Sequence, residues 1–137
     1  MTSTNPIAVF VVDDLPTMRD RLRELLEDIG GVEVVGDAGS LDAATKGILR
    51  THPDCVLLDY QIDGGTGVDV LRAVHSQSPQ IEFIVLTNHA TEQHRRACLD
   101  AGARFFLDKS SEFGCIRTAI AEIESRRAHA QPRNRTA

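Results

Sequence analysis

Short apolar runs and amphipathic stretches alternate five times along the chain. The runs are Ile7 to Val12, Val32 to Val35, Cys55 to Leu58, Ile81 to Leu86 and Arg104 to Leu107. Four of them are dense in β-branched residues, and most lack strict polar alternation. Such runs predict strands covered on both faces, as in a parallel sheet. Helices fill the gaps. Met18, Leu22, Leu25, Leu26 and Ile29 form one apolar stripe at helical spacing, closed by the left-handed stop Gly30-Gly31. A second helix is predicted after Ser40, with Asp42 in its first turn and Leu41, Ala44, Ile48 and Leu49 inward. A third starts at the N-cap Thr66, three residues before Asp69, and buries Val70, Leu71 and Val74. The fourth runs from Thr91 to a stop at Gly102 on a weak stripe of Ala97, Cys98 and Ala101. The fifth follows Ser110-Ser111, with Phe113, Ile116, Ile120 and Ile123 inward.

Five strand–helix units predict an α/β fold, since each right-handed crossover lays a helix on one face of the sheet. A length of 137 residues fits one domain with a self-sufficient core, and no repeat or linker marks a second. Aromatics are only 4% of the chain, so that core must rest on Val, Ile, Leu and Ala. No apolar run approaches the roughly 20 residues of a membrane helix, and Met1 to Pro6 lack the features of a secretory signal. The expectation is a cytoplasmic protein with no membrane insertion. Cys55, Cys98 and Cys115 are odd in number and form no CxxC pair, so they are read as reduced thiols, buried or half-buried. His52, His75, His89, His94 and His129 lack metal-ligand spacing and are read as surface or loop residues.

Charge divides the chain unevenly. The net charge is −5, but residues 126–137 hold four arginines and no acid, leaving residues 1–125 with 11 basic and 20 acidic side chains. An acidic body is a poor match for nucleic-acid phosphates, so no direct DNA binding is expected. Arg95, Arg96, Asp100 and Arg117 are read as solvated surface, with a monomer or weak dimer expected.

In open α/β sheets ligands bind at the carboxyl ends of the strands. The first strand ends in Asp13-Asp14, the third in Asp59, the fourth in Thr87-Asn88, and the fifth leads to Asp108-Lys109. Three carboxylates converging near one point repel unless a cation intervenes, and oxygen-only ligands favour Mg²⁺. Lys109 adds a mobile positive charge and Thr87 a hydroxyl donor. Such a site suits a transferring phosphoryl group, with a carboxylate as nucleophile.

VVDD at 11–14, LLD at 57–59, VLT at 85–87 and Lys109 together resemble the signature of the bacterial response-regulator receiver domain, over residues 7 to about 125. The resemblance implies a doubly wound, flavodoxin-like (βα)5 sheet of strand order 2-1-3-4-5. It implies that Asp59 accepts a phosphoryl group from a sensor histidine kinase, aided by Thr87 and Lys109. Asp14 would bind Mg²⁺ directly and Asp13 through water, with Asp59 and the backbone carbonyl of Gln61 completing the protein ligands. Thr87 and Phe106 would be the switch residues, moving contacts on the face formed by the fourth helix, fifth strand and fifth helix. Such a domain catalyses its own phosphorylation and dephosphorylation and has no diffusing product. The layout expected is a disordered segment 1–6, a receiver domain 7–125 and a basic flexible tail 126–137, with no output domain.

The chain departs from the family pattern at three places. Gln61 to Gly65 replaces the usual Met-Pro, and its glycines fit no phosphate-cradle motif. Asn88 stands where the family usually has a small residue, and is expected either to narrow access or to add a hydrogen bond. The resemblance implies that Gln61 and His89, with Asn88, stand at positions that in the family tune the lifetime of the phosphorylated state. Lys109-Ser110 replaces Lys-Pro, so the bond is expected to be trans or a strained cis, the latter costing roughly 2.5–4 kcal/mol. The partners implied are the kinase, a histidine phosphotransfer protein and a downstream protein target. The alternative is a receiver-fold adaptor that binds protein without phosphorylation. A Mg²⁺-dependent phosphatase would need a second Asp where Gln61 stands.

Overall fold

The computed structural model describes residues 6–88 and 90–135, with side chains to residue 127. The strands are β1 (Ile7–Val12), β2 (Val32–Ala38), β3 (Cys55–Asp59), β4 (Glu82–Thr87) and β5 (Phe105–Asp108). The helices are α1 (Pro16–Ile29), α2 (Leu41–Thr51), α3 (Gly67–His75), α4 (Glu92–Asp100) and α5 (Cys115–Arg135). All five strands are parallel, in the order β2-β1-β3-β4-β5. A short antiparallel ribbon, Gln61–Ile62 with Gly65–Thr66, lies between β3 and α3.

Alternation along the strands splits the core into two layers. Phe10, Val12, Val56, Leu58, Phe83 and Val85 pack against Ala44, Ile48, Val70, Leu71, Val74 and Cys98 of α2, α3 and α4. Ile7, Val9, Val11, Leu57, Ile84 and Leu86 pack on the other face against Leu22, Leu26, Ile116, Ala119, Ile120 and Ile123 of α1 and α5. Each fully buried aliphatic side chain of this kind contributes about 1.5–3 kcal/mol. The chain therefore winds in both directions from β1, and β1 and β3 flank the point where the winding reverses. Their carboxyl ends open into one crevice.

Three boundaries differ from the sequence-based expectation by more than one residue. β2 runs on through Gly36 and Asp37 to Ala38, because β1 keeps pairing with it as far as Val12 opposite Ala38. α5 begins at Cys115 instead of directly after Ser110-Ser111, whose backbone N–H groups bond to the Asp108 carboxylate. Phe113 lies in the preceding turn, 4.9 Å beneath the Arg21 guanidinium. Third, α5 continues to Arg135, into the segment from 126 expected to lie beyond the last helix. Arg126 turns back to pair with Glu82, and Arg127 approaches Asp54 at 3.5 Å, which ties the start of that segment to the sheet. The expected disorder of residues 1–6 falls outside the described residues except at Pro6. Among the described residues no helix is long and apolar enough to cross a membrane.

Cys55 and Cys98 are buried as expected, whereas Cys115 is exposed, one position off the inward stripe that begins at Ile116. Two histidines are not simple surface residues. His75 ends α3 packed against Gly102, and His94 on α4 stacks on Tyr60 with ring centroids 4.3 Å apart. His52 is exposed at the α2 C-cap in the left-handed conformation.

Candidate phosphoryl-acceptor site

β1 delivers Asp13 and Asp14 to the crevice. The Asp13 N–H donates to Ala38 O at 3.1 Å, and its Oδ1 accepts from Leu15 N–H at 3.0 Å, where Leu15 caps α1 and Pro16 occupies its first turn. Arg19 donates to the Asp13 carbonyl at 2.6 Å, reaching across Gly39, where a Cβ would lie 2.6 Å from the guanidinium. Nothing in the sequence pattern singled out Arg19 or Gly39. Their part in the site depends on β2 and α1 meeting at one point, which no local spacing reveals.

Asp59 is the last residue of β3 and only 8% exposed. The chain then folds back sharply: Gly67 N–H donates to Tyr60 O at 2.6 Å, and a Cβ on Gly67 would stand 2.9 Å from the Asp59 carbonyl oxygen. Lys109 follows β5, with its N–H bonded to Thr87 O at 2.8 Å. Its Nζ lies 2.7 Å from Asp13 Oδ2 and 3.3 Å from Asp59 Oδ2, in buried surroundings. The Lys109–Ser110 bond is trans, since no peptide bond among the described residues is cis.

Burial pushes the Asp59 carboxyl up to about 6, the Asp13 charge adds to this, and Lys109 and the Gln61 N–H pull it back. For Lys109, burial pulls the ammonium down. The hydrogen bond to Asp13 and the charge of Asp59 outweigh it, so the group is held above its ordinary value.

The structure brings together most of the residues that the sequence singled out. Carboxylate oxygens of Asp13, Asp14 and Asp59 all lie within 4.8 Å of one another. Asp14, Asp59, Gln61, Thr87, Asn88 and Lys109 line one cleft of about 130 Å³, with the 55%-exposed Leu15 beside them. Both oxygens of Asp13 accept hydrogen bonds from protein donors, while Asp14 is exposed. A set of hard oxygens with one carboxylate turned to solvent fits a divalent cation such as Mg²⁺. Phe106 is half-buried against the core on the α2–α4 side, and Phe105 packs on the α1–α5 side. His89 lies outside the described residues. Arg95, Arg96, Asp100 and Arg117 are exposed.

The reversal crevice of this α/β domain thus holds three convergent carboxylates, a buried lysine and a threonine, a donor set chemically suited to a cation beside an anionic group. The family model for the response regulator receiver domain matches residues 9–121, and the chain belongs to that family. It is 37% identical over 120 residues to the nitrate/nitrite response regulator protein NarP of Escherichia coli, covering 88% of this chain and 56% of that protein. It is 31% identical to the response regulator UvrY of the same organism, covering 87% of this chain and 55% of UvrY. The chain thus spans about half the length of these relatives. The signal receiver domain of the response regulator NarL from Mycobacterium tuberculosis superposes with a TM-score of 0.81 at 32% identity, covering 87% of this chain and 96% of that one.

Proposed function

We propose that Asp59 is the phosphoacceptor of a two-component signalling switch. The observation that carries this is the placement of Asp59: a buried carboxylate at the end of β3, 3.3 Å from Lys109, lining the same cleft as Asp14 and Thr87. An Asp59 carboxylate oxygen would form a bond to phosphorus as the P–N bond of a kinase phosphohistidine breaks, the electron pair leaving with the imidazole. Lys109 would move from its pairing with Asp13 toward the phosphoryl oxygens, and the Thr87 hydroxyl would donate to them. Asp13, Asp14, Asp59 and the backbone carbonyl of Gln61 would hold Mg²⁺. When bound, that ion supplies neutralisation of the charge gathered on the phosphoryl oxygens.

Thr87 lies at the end of β4, beside the strand that carries Phe106, so the inward turn of Phe106 would relay the event to the face of α4, β5 and α5. That face would engage a downstream protein target, and the crevice would serve a sensor histidine kinase or a histidine phosphotransfer protein. The acidic charge of residues 1–125 argues against direct DNA binding by this domain. Gln61, Asn88 and His89 would set the lifetime of the phosphorylated state through the attacking water. Gln61→Ala and His89→Ala are expected to change the dephosphorylation rate, and unchanged rates would remove that role.

Incubation with acetyl phosphate and Mg²⁺ followed by intact mass measurement tests the proposal. One phosphoryl adduct is expected on the wild-type protein and none on Asp59→Asn. No adduct on the wild type would favour the adaptor reading, in which the domain binds protein without phosphorylation. An adduct surviving in Asp59→Asn would place the acceptor elsewhere.

A further inference from the structure

The turn between β5 and α5 carries a carboxylate that the chemistry above does not use. Asp108 Oδ1 accepts hydrogen bonds from the Ser110 N–H at 2.8 Å, the Ser110 hydroxyl at 2.6 Å and the Ser111 N–H at 3.2 Å. The Asp108 N–H donates to Glu112 Oε1 at 2.9 Å, and the Asp108 carbonyl accepts from the Glu112 N–H at 2.8 Å. Every one of these bonds spans Lys109. The Lys109 N–H is itself tied to Thr87 O of β4. The root of the lysine is thus held on three sides, by the neighbouring strand, by the Asp108 carboxylate and by Glu112.

We propose that Asp108 is a positioning residue for Lys109, acting through the bracket it forms with Ser110 and Ser111. A lysine stem is long and rich in rotamers, so holding its Nζ on Asp13 and Asp59 together is favoured by a fixed backbone. Two donors of the bracket come from Ser110, at the place where Lys-Pro would otherwise stand. Proline has no N–H, so the bracket and a proline at that place are mutually exclusive ways of fixing the turn. The serine is therefore a replacement device. This inference rests on the reading of Asp59 as the acceptor and Lys109 as its helper.

The test compares initial rates of adduct formation with acetyl phosphate and Mg²⁺, read by intact mass. Asp108→Leu keeps the side-chain size but has no acceptor, and is expected to slow phosphorylation by about tenfold or more, within the ~100-fold that a 1 Å misplacement produces. Asp108→Asn keeps an oxygen for the Ser110 donors and is expected to recover most of the rate, which a general loss of packing would not allow. In a Lys109→Ala background, Asp108→Leu is expected to cause no additional slowing. Ser110→Ala, which deletes only the hydroxyl, is expected to slow the reaction a few-fold and serves if Asp108→Leu does not fold. A wild-type rate in Asp108→Leu, failure of Asn to rescue, or full additivity with Lys109→Ala overturns the inference; so does a wild-type rate in Ser110→Ala. An absent adduct on the wild-type protein removes the Asp59 reading, and this inference with it.

Discussion

Asp59 is under opposed demands. Burial drives its carboxyl toward the neutral form, yet a nucleophile must be ionised, and Lys109 and the Gln61 N–H supply the counterweight. The raised value sets the sign of a stability effect. Between about 4 and 6 the folded protein binds more protons than the unfolded chain, so stability falls as pH rises through that window, and the loss persists at neutral pH. Asp59→Asn is therefore expected to stabilise the metal-free protein at pH 7.5 by up to about 3 kcal/mol, and to lose that advantage below about pH 4. Thermal denaturation in EDTA at the two pH values checks this. Asp13, Asp14, Asp59, Thr87 and Lys109 were legible because strand ends mark ligand crevices and because carboxylates there demand a cation. Arg19 and Asp108 were not, since their work lies in bonds to backbone groups that only the folded turns bring near.

Among the elements, the passage from β3 to α3 is constrained by backbone on backbone. Gly67 lets the helix start against the acceptor strand, and a methyl there would press on the Asp59 carbonyl, a backbone atom that cannot swing aside. Gly67→Ala is expected to cost about 1–3 kcal/mol. It is also expected to impair adduct formation beyond what that loss explains, since it displaces Asp59 itself. Denaturant unfolding read beside the phosphorylation rate separates the two effects. The strands and α1, α2 and α3 were legible from apolar runs, stripes and caps such as Ser40, whose hydroxyl accepts from Ala43 N–H at 3.2 Å. The start of α5 was misread because Ser110-Ser111 resembles an N-cap, whereas its donors serve Asp108. The end of α5 was misread because a run of arginines without acids reads as solvated, and nothing local announces that Arg126 and Arg127 meet Glu82 and Asp54 across the fold.

At the scale of the whole molecule, both faces of the sheet are covered and the reversal crevice is left as the place where acids converge. Repulsion among Asp13, Asp14 and Asp59 is stored in the fold and offset in part by Lys109. Mg²⁺ is therefore expected to raise the thermal midpoint, by the equivalent of about 1–3 kcal/mol when well above its dissociation constant. EDTA should reverse the gain and Asp14→Asn should remove it, which differential scanning fluorimetry reads directly. The central claim is a covalent one, the formation of an acyl phosphate on Asp59. Borohydride reduces an acyl phosphate to an alcohol, so treatment of the acetyl-phosphate-loaded protein followed by peptide mapping should find homoserine at position 59. An unmodified aspartate there, with the label on another residue or on none, would contradict the account.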